Sequence, residues 1–279
     1  MSKVTVLDTS CLIYLIHNSI DSLEDTPINP IIDRTVKLLI NNYFTLDNHF
    51  IAVLDTKVDG KYWRDDLVKK DSGNKYKTGR KKKSLNWYSI LERVLTIFKS
   101  LNIPMVGLPT YEADDVAALI VKCAKDRGVA VDLFTVDSDW MGLIDEPNNI
   151  LWLNMANYPP KVRFYLKDIN EWSNRRLKET LEKPSDIWTV KAAQGDASDN
   201  LPSGTNIGLI DLLNPVEGYD LYKTCPHVGY RALEQALKLD FPSTDNEDEN
   251  LDLMGEILSV TSLPLTGLDN SLRKMYVNQ

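Results

Sequence analysis

Short apolar runs recur along the chain at 3–8 (KVTVLD), 50–55 (FIAVLD), 130–136 (AVDLFTV) and 150–154 (ILWLN). Runs of this length, rich in Val, Ile and Leu, predict buried strands. Between them the apolar spacing shifts to the helical period, at 31–43 and at 86–101, which stops before Pro104. The stretch 111–127 also reads as a helix. It has acids in its first turn, Lys and Arg in its last, and Gly128 as a cap. Strand and helix alternating in this way predict an α/β fold with a mainly parallel central sheet. From about residue 155 the pattern turns helical, over roughly 168–182, 186–194, 207–213, 229–238 and 251–259, with an acidic polar linker at 242–250. The expected division is an α/β core over 1–155 and a smaller helical region over 156–279.

Three of the strand runs end on aspartate: Asp8, Asp55 and Asp137. In an open parallel sheet, ligands gather at the carboxyl ends of the strands, so these carboxylates are expected to face one crevice. Further acids come in groups: Glu112, Asp114 and Asp115 in YEADD, Asp139 in DSD, and Asp196 and Asp199 in GDASD. Hard oxygen donors at that density suit Mg²⁺ or Mn²⁺. Plainer readings exist for each. Asp8 and Asp55 are also suited to capping helices, and three acids in a first turn complement a helix dipole. Asp137-x-Asp139 is not explained by capping alone. Glu112 and Asp115, three apart, share a helix face.

Composition changes the picture at one place. The chain carries a net charge of −8, which by itself argues against nucleic acid. Yet the nine carboxylates just named could account for that excess. Residues 61–83 hold ten Lys and Arg against three acids (Asp65, Asp66, Asp71). A cationic segment beside an acidic cluster suits a phosphodiester substrate; the alternative is a solvated surface loop. The segment 56–83 is also longer than an ordinary connection, and such loops are usually functional or disordered. Cys11, Cys123 and Cys225 show no metal-binding or paired spacing and read as reduced thiols of a cytosolic protein. No stretch is long and apolar enough for a membrane helix.

The motifs LDTS, VLDTK, WR followed by YKTGR, YEADD, TVDSD and GDASDNLP stand in that order along nearly the whole chain. Together they resemble the 5′-nuclease (flap endonuclease) family, and within it the stand-alone phage type. The resemblance implies a PIN-like core, a basic arch over about 56–85, and a helix–hairpin–helix over about 186–238 that binds DNA. It implies structure-specific 5′-3′ hydrolysis of phosphodiesters in replication or repair, at 5′ flaps or single-to-double-strand junctions. Primer removal from an RNA–DNA hybrid, a ribonuclease H activity, is the companion possibility.

Two Mg²⁺ ions are implied, with Mn²⁺ able to substitute. Asp8, Asp55, Glu112, Asp114, Asp115 and Asp137 would surround the first, and Asp139, Asp196 and Asp199 the second, partly through water. Lys77 and Arg80 would contact the scissile phosphate, and Tyr76 would stack on a base. Trp63, Arg64, Lys81, Lys82 and Lys83 would contact DNA from the arch. The chain departs from the family after GDASDNLP: SGTNIGLIDLL lacks the hairpin lysine. A match to the hairpin's second half comes only at 226–233, where Gly229 and Arg231 become the DNA contacts and 203–225 reads as an insertion. The expected state is a monomer in the cytoplasm (the host's, for a phage enzyme), with a single-strand-binding protein or clamp as a further partner. Competing readings are a PIN-type single-strand ribonuclease and a non-catalytic, structure-specific DNA-binding protein.

Overall fold

The structure is a computed structural model that describes residues 3–20, 28–43, 48–62, 65, 77, 83–154, 163–164, 167, 181–185 and 187. Its centre is a sheet of order β3-β2-β1-β4-β5-β6. The strands are β1 (Lys3–Asp8), β2 (Asn48–Val53), β3 (Met105–Val106), β4 (Ala130–Thr135), β5 (Ile150–Asn154) and β6 (Arg163–Phe164). The first five pair in parallel, and β6 adds an antiparallel edge beside β5. The mainly parallel α/β sheet expected from the sequence is therefore present. β3 and β6 were not anticipated, because two residues cannot display a period.

Among the described residues, four α-helices flank the strands: α1 (Thr9–Ile20), α2 (Ile28–Tyr43), α3 (Leu85–Ser100) and α4 (Ala113–Asp126). α1 buries Thr9, Leu12, Ile13, Ile16 and Ile20, one stripe at helical spacing. That stripe joins Ile32, Val36 and Leu39 of α2 and Ile90, Val94 and Phe98 of α3 over Leu7, Phe50, Ala52, Phe134 and Leu153 of the sheet. Alternation along the strands leaves Val6, Ile51, Val53 and Leu133 for the opposite side, and α4 packs against β2 and β4. Arg93 of α3 donates to both oxygens of Asp33 of α2, at 2.8 and 2.6 Å. α3 begins where Ser84 accepts the Trp87 N–H. α4 ends at Arg127, and Gly128 follows at φ +62°, the left-handed residue that its sequence position announced.

Two strand ends differ from expectation. The runs 50–55 and 130–136 stop as strands at Val53 and Thr135. Asp55 and Asp137 therefore lie two residues beyond, in the connections, and only Asp8 ends its strand. Polar contacts account for both turns. Asp55 leaves the sheet to accept the Ala113 N–H at the start of α4, at 2.9 Å. Asp137 caps a 3₁₀ helix, Ser138–Leu143, by accepting the Asp139 N–H at 3.0 Å.

The Asp55 connection is held tightly to the β3–α4 loop. Leu54 N–H donates to Val106 O and Thr56 N–H to Tyr111 O, both at 2.9 Å. Gly107 faces this seam, and a Cβ there would lie 2.3 Å from Thr56 Oγ1 and 3.4 Å from Leu54. Gly107→Ala is expected to destabilise the protein by about 1–2 kcal/mol, the usual cost of overpacking. In a Thr56→Ala background the same change is expected to cost at most about half of that. Equal penalties in both backgrounds, by denaturant titration, would show that Thr56 is not the obstacle.

Candidate acidic active site

The parallel register builds the first half of the site. β1 and β4 are paired up to Leu7↔Phe134, so Asp8 and Thr135 lie one step beyond as neighbours at the carboxyl end of the sheet. The Thr135 hydroxyl donates to Asp8 Oδ2 at 2.7 Å. Asp8 Oδ1 accepts the Cys11 N–H at 3.0 Å, so this residue also caps α1. The helix-capping reading of Asp8 is thus realised, and the residue stands at the carboxyl end of its strand. Thr135 Oγ1 in turn accepts the Asp137 N–H at 3.0 Å and lies 3.3 Å from Cys11 Sγ. Asp55, more exposed, accepts from Ser10 Oγ at 2.8 Å as well as from Ala113.

The second half comes from the start of α4. Glu112 is its N-cap, and the Asp115 carboxylate accepts the Glu112 N–H at 3.0 Å in a capping box. That shared face, inferred from spacing, therefore serves the helix end. Asp114 points elsewhere and accepts the indole N–H of the fully buried Trp140 at 2.7 Å. Lys77, at φ +53°, forms an ion pair with the buried Glu112 and lies 5.5 Å from the Tyr62 ring centroid.

These carboxylates feel one another. Burial, opposed by the hydrogen bonds from Cys11 and Thr135 and reinforced by the charge of Asp55, raises the Asp8 pKa to about 6. Burial raises Asp114 well above the ordinary range; Asp137, Glu112 and Asp139 push in the same direction and Lys77 opposes them. Burial, with Asp8 and Asp137 beside it, pushes the Cys11 thiol far up, which keeps it protonated and poorly nucleophilic. Among the described residues no three acidic, histidine or cysteine side chains yet close around one point as a finished metal cage. The chemistry of the donor set nonetheless fits a divalent cation. It is all carboxylate oxygen, partly buried and mutually repelling, and it already draws in one ammonium group.

The sign of the resulting pH dependence follows. An acid whose folded pKa is raised stabilises the fold below its unfolded value near 3.8 and loses that contribution as pH rises through about 6. For Asp8 the difference amounts to about 3 kcal/mol. In chelator, the melting temperature of the parent is expected to fall relative to Asp8→Asn between pH 5 and pH 8. Mn²⁺ should narrow the gap at pH 8. A pH-independent difference would contradict the burial argument.

Of the residues expected to act, Asp8 lies within electrostatic reach of Asp55, and Asp114 within reach of Asp137, Glu112, Lys77 and Asp139; Asp115 closes the capping box at the start of α4. Lys83 lies 4.5 Å from the Trp87 ring centroid at the foot of α3. Trp63, Arg64, Tyr76, Arg80, Lys81, Lys82, Asp196, Asp199, Gly229 and Arg231 lie outside the described residues, as do the expected C-terminal helices beyond 187. Ser10, Thr135 and Trp140 were not anticipated. Their roles depend on which strand neighbours which, and a single hydroxyl or indole in a hydrophobic run carries no such signal.

Fold and site together define a mainly parallel α/β domain with a cluster of carboxylates near its strand ends. The family model of the 5′-3′ exonuclease N-terminal, resolvase-like domain matches residues 3–173, and the chain belongs to this family. The 5′-3′ exonuclease of Mycoplasmopsis pulmonis is 31% identical over 175 residues, 63% of this chain and 52% of that protein. DNA polymerase I of Chloroflexus aurantiacus is 32% identical over 149 residues, 53% of this chain but 15% of the polymerase. The chain thus spans about half or less of the length of these relatives. Among solved structures, T5 5′-exonuclease with bound zinc superposes with a TM-score of 0.62 at 18% identity, over 94% of this chain and 100% of that one. A T5 flap endonuclease complex with DNA and metal ions gives 0.61, also at 18%, over 93% and 99%. At that identity the likeness is one of fold.

Proposed function

We propose that this chain is a structure-specific 5′-3′ nuclease that hydrolyses phosphodiesters of DNA near 5′ ends, at flaps or single-to-double-strand junctions. The observation that supports the reading best is the acidic cluster on four separate segments, Asp55 within electrostatic reach of Asp8, and Asp137, Glu112 and Asp139 within reach of Asp114. Membership of the 5′-3′ exonuclease family supports it. Asp8, Asp55, Glu112, Asp114 and Asp137, with Asp139, Asp196 and Asp199, would hold two Mg²⁺ or Mn²⁺ ions. When bound, such ions lower the pKa of a water and neutralise charge on the phosphate. Asp115 contributes by fixing the N-terminus of α4, from which Glu112 and Asp114 project.

Lys77 neutralises Glu112 in the free protein and is placed to hand its charge to a phosphate that enters the cleft, with Arg80 assisting. Trp63, Arg64, Tyr76 and Lys81–Lys83 form the remainder of a basic arch that tracks the DNA backbone and stacks on bases. The region 156–279, with Gly229 and Arg231, binds the duplex. The protein acts as a cytoplasmic monomer, with a single-strand-binding protein or clamp as its partner in replication, and an RNA–DNA hybrid is a second substrate.

The deciding assay compares a 5′-flap duplex, an RNA–DNA hybrid and linear single-stranded RNA, each with Mg²⁺ or with chelator. Cleavage of the flap in Mg²⁺ only, lost in Asp137→Asn with DNA binding retained, is expected. Preferential cleavage of single-stranded RNA would favour a ribonuclease. Binding without any cleavage would favour a non-catalytic DNA-binding protein.

A further inference from the structure

The acids that line the cleft arrive on independent elements, and their mutual repulsion tends to rotate them apart. Six consecutive residues, 135–140, counter this. Thr135 is fully buried at the end of β4. Its one hydroxyl proton goes to Asp8 Oδ2 at 2.7 Å, and its oxygen accepts the Asp137 N–H at 3.0 Å. The chain Asp137 N–H to Thr135 O–H to Asp8 has a single polarity, so each bond strengthens the other. Asp137 in turn caps the 3₁₀ helix that carries Trp140. The Trp140 ring is fully buried, so its indole N–H is aimed by packing rather than by choice of rotamer, and it meets Asp114 Oδ1 at 2.7 Å. Asp8 and Asp114 belong to elements far apart in sequence, yet each has one oxygen held by this segment.

Both donors are neutral. A Lys or Arg in either place would hold the carboxylate equally well but would compete with a cation for it. A hydroxyl and an indole N–H orient the acid and leave its charge available. We propose that Thr135 and Trp140 are positioning residues that fix Asp8 and Asp114 for divalent-cation binding, so that the segment 135–140 supplies two acids of the cleft and aligns two more. This rests on the reading of the cleft as a divalent-metal site. Groups that orient metal-binding side chains in this way are generally worth about 10- to 100-fold in metal affinity.

The test is Mn²⁺ titration of the full chain by calorimetry, without DNA, alongside melting in chelator and flap cleavage. Thr135→Val and Trp140→Phe keep side-chain bulk and delete one donor each. Each is expected to weaken Mn²⁺ binding about tenfold or more, and Thr135→Ser is expected to restore affinity to within about threefold of the parent. A purely structural role predicts lower melting in chelator with Mn²⁺ affinity unchanged, and that result would overturn the proposal. If Thr135→Val does not fold, Trp140→Phe, which keeps its ring, decides by the same criterion. A parent that binds no Mn²⁺ overturns both this proposal and the metal reading. A parent that binds Mn²⁺ but cleaves no flap overturns the nuclease reading alone, and weakened binding in the variants still supports the positioning roles.

Discussion

Asp114→Asn is expected to make the protein more stable in chelator and nearly inactive in Mg²⁺. The physical origin of both effects is the same. The Asp114 carboxyl is desolvated, and Asp137, Glu112 and Asp139 all disfavour its charge. A carboxyl held in this way works against the fold at neutral pH in the absence of a cation. Asparagine removes that charge while keeping an oxygen for the Trp140 N–H, a contact that orients the side chain. The melting temperature in chelator at pH 8 is therefore expected to rise by several degrees, since about 1 kcal/mol moves a domain of this size by roughly 2–4 °C. At pH 4–5 the gain should shrink, because an acid with a raised pKa is closer to neutral there. Cleavage should fall on the order of a thousandfold or more, as for groups acting on the transition state. A variant that is both less stable at pH 8 in chelator and active would show that Asp114 is a structural acid.

Lys77→Ala is the second large effect, and its sign depends on the metal. Lys77 is the ammonium paired with buried Glu112, and it lowers the cost of charge at Asp114. Its removal takes one counter-charge away from the buried Glu112, a change that costs up to about 3–5 kcal/mol where such a pair is fully buried. Lys77 keeps some solvent exposure, so the lower part of that range is expected. Melting in chelator should drop by several degrees. In Mn²⁺ most of the drop should vanish, because the cation takes over the neutralising role. Turnover should nevertheless fall by about a hundredfold or more with metal present, the loss typical of one electrostatic contact to a reacting group. A drop in melting that Mn²⁺ does not repair, with turnover near normal, would make Lys77 a structural residue only.

The two experiments share a feature that the sequence foreshadowed. A dense set of acids calls for cations, and compensation is present in the free protein. One ammonium is drawn onto Glu112, and two carboxyls, Asp8 and Asp114, are pushed toward neutrality. Capping a helix does not by itself exclude Asp8 from a site. A carboxylate has two oxygens, and here one finishes α1 while the other accepts from Thr135 at the end of β4.

What the sequence determined by itself follows from local periodicity. β1, β5, α2, α3 and α4 were legible because apolar runs and 3.6-residue spacing are properties of short windows. Gly128 was legible as a helix end because only glycine readily takes its positive φ. The acids were legible as candidates because charge at the end of an apolar run needs a reason. Tertiary structure alone decided the rest. The strand order β3-β2-β1-β4-β5 makes Asp8 the neighbour of Thr135, and no window of sequence contains both. Where Asp55 and Asp137 leave their strands was decided by hydrogen bonds to the start of α4 and within the 3₁₀ helix. The parts played by Thr135, Trp140 and Lys77 arise from contacts across 127, 26 and 35 residues of chain. Long-range pairing of this kind leaves no local pattern, so the sequence could nominate the acids but not show what holds them.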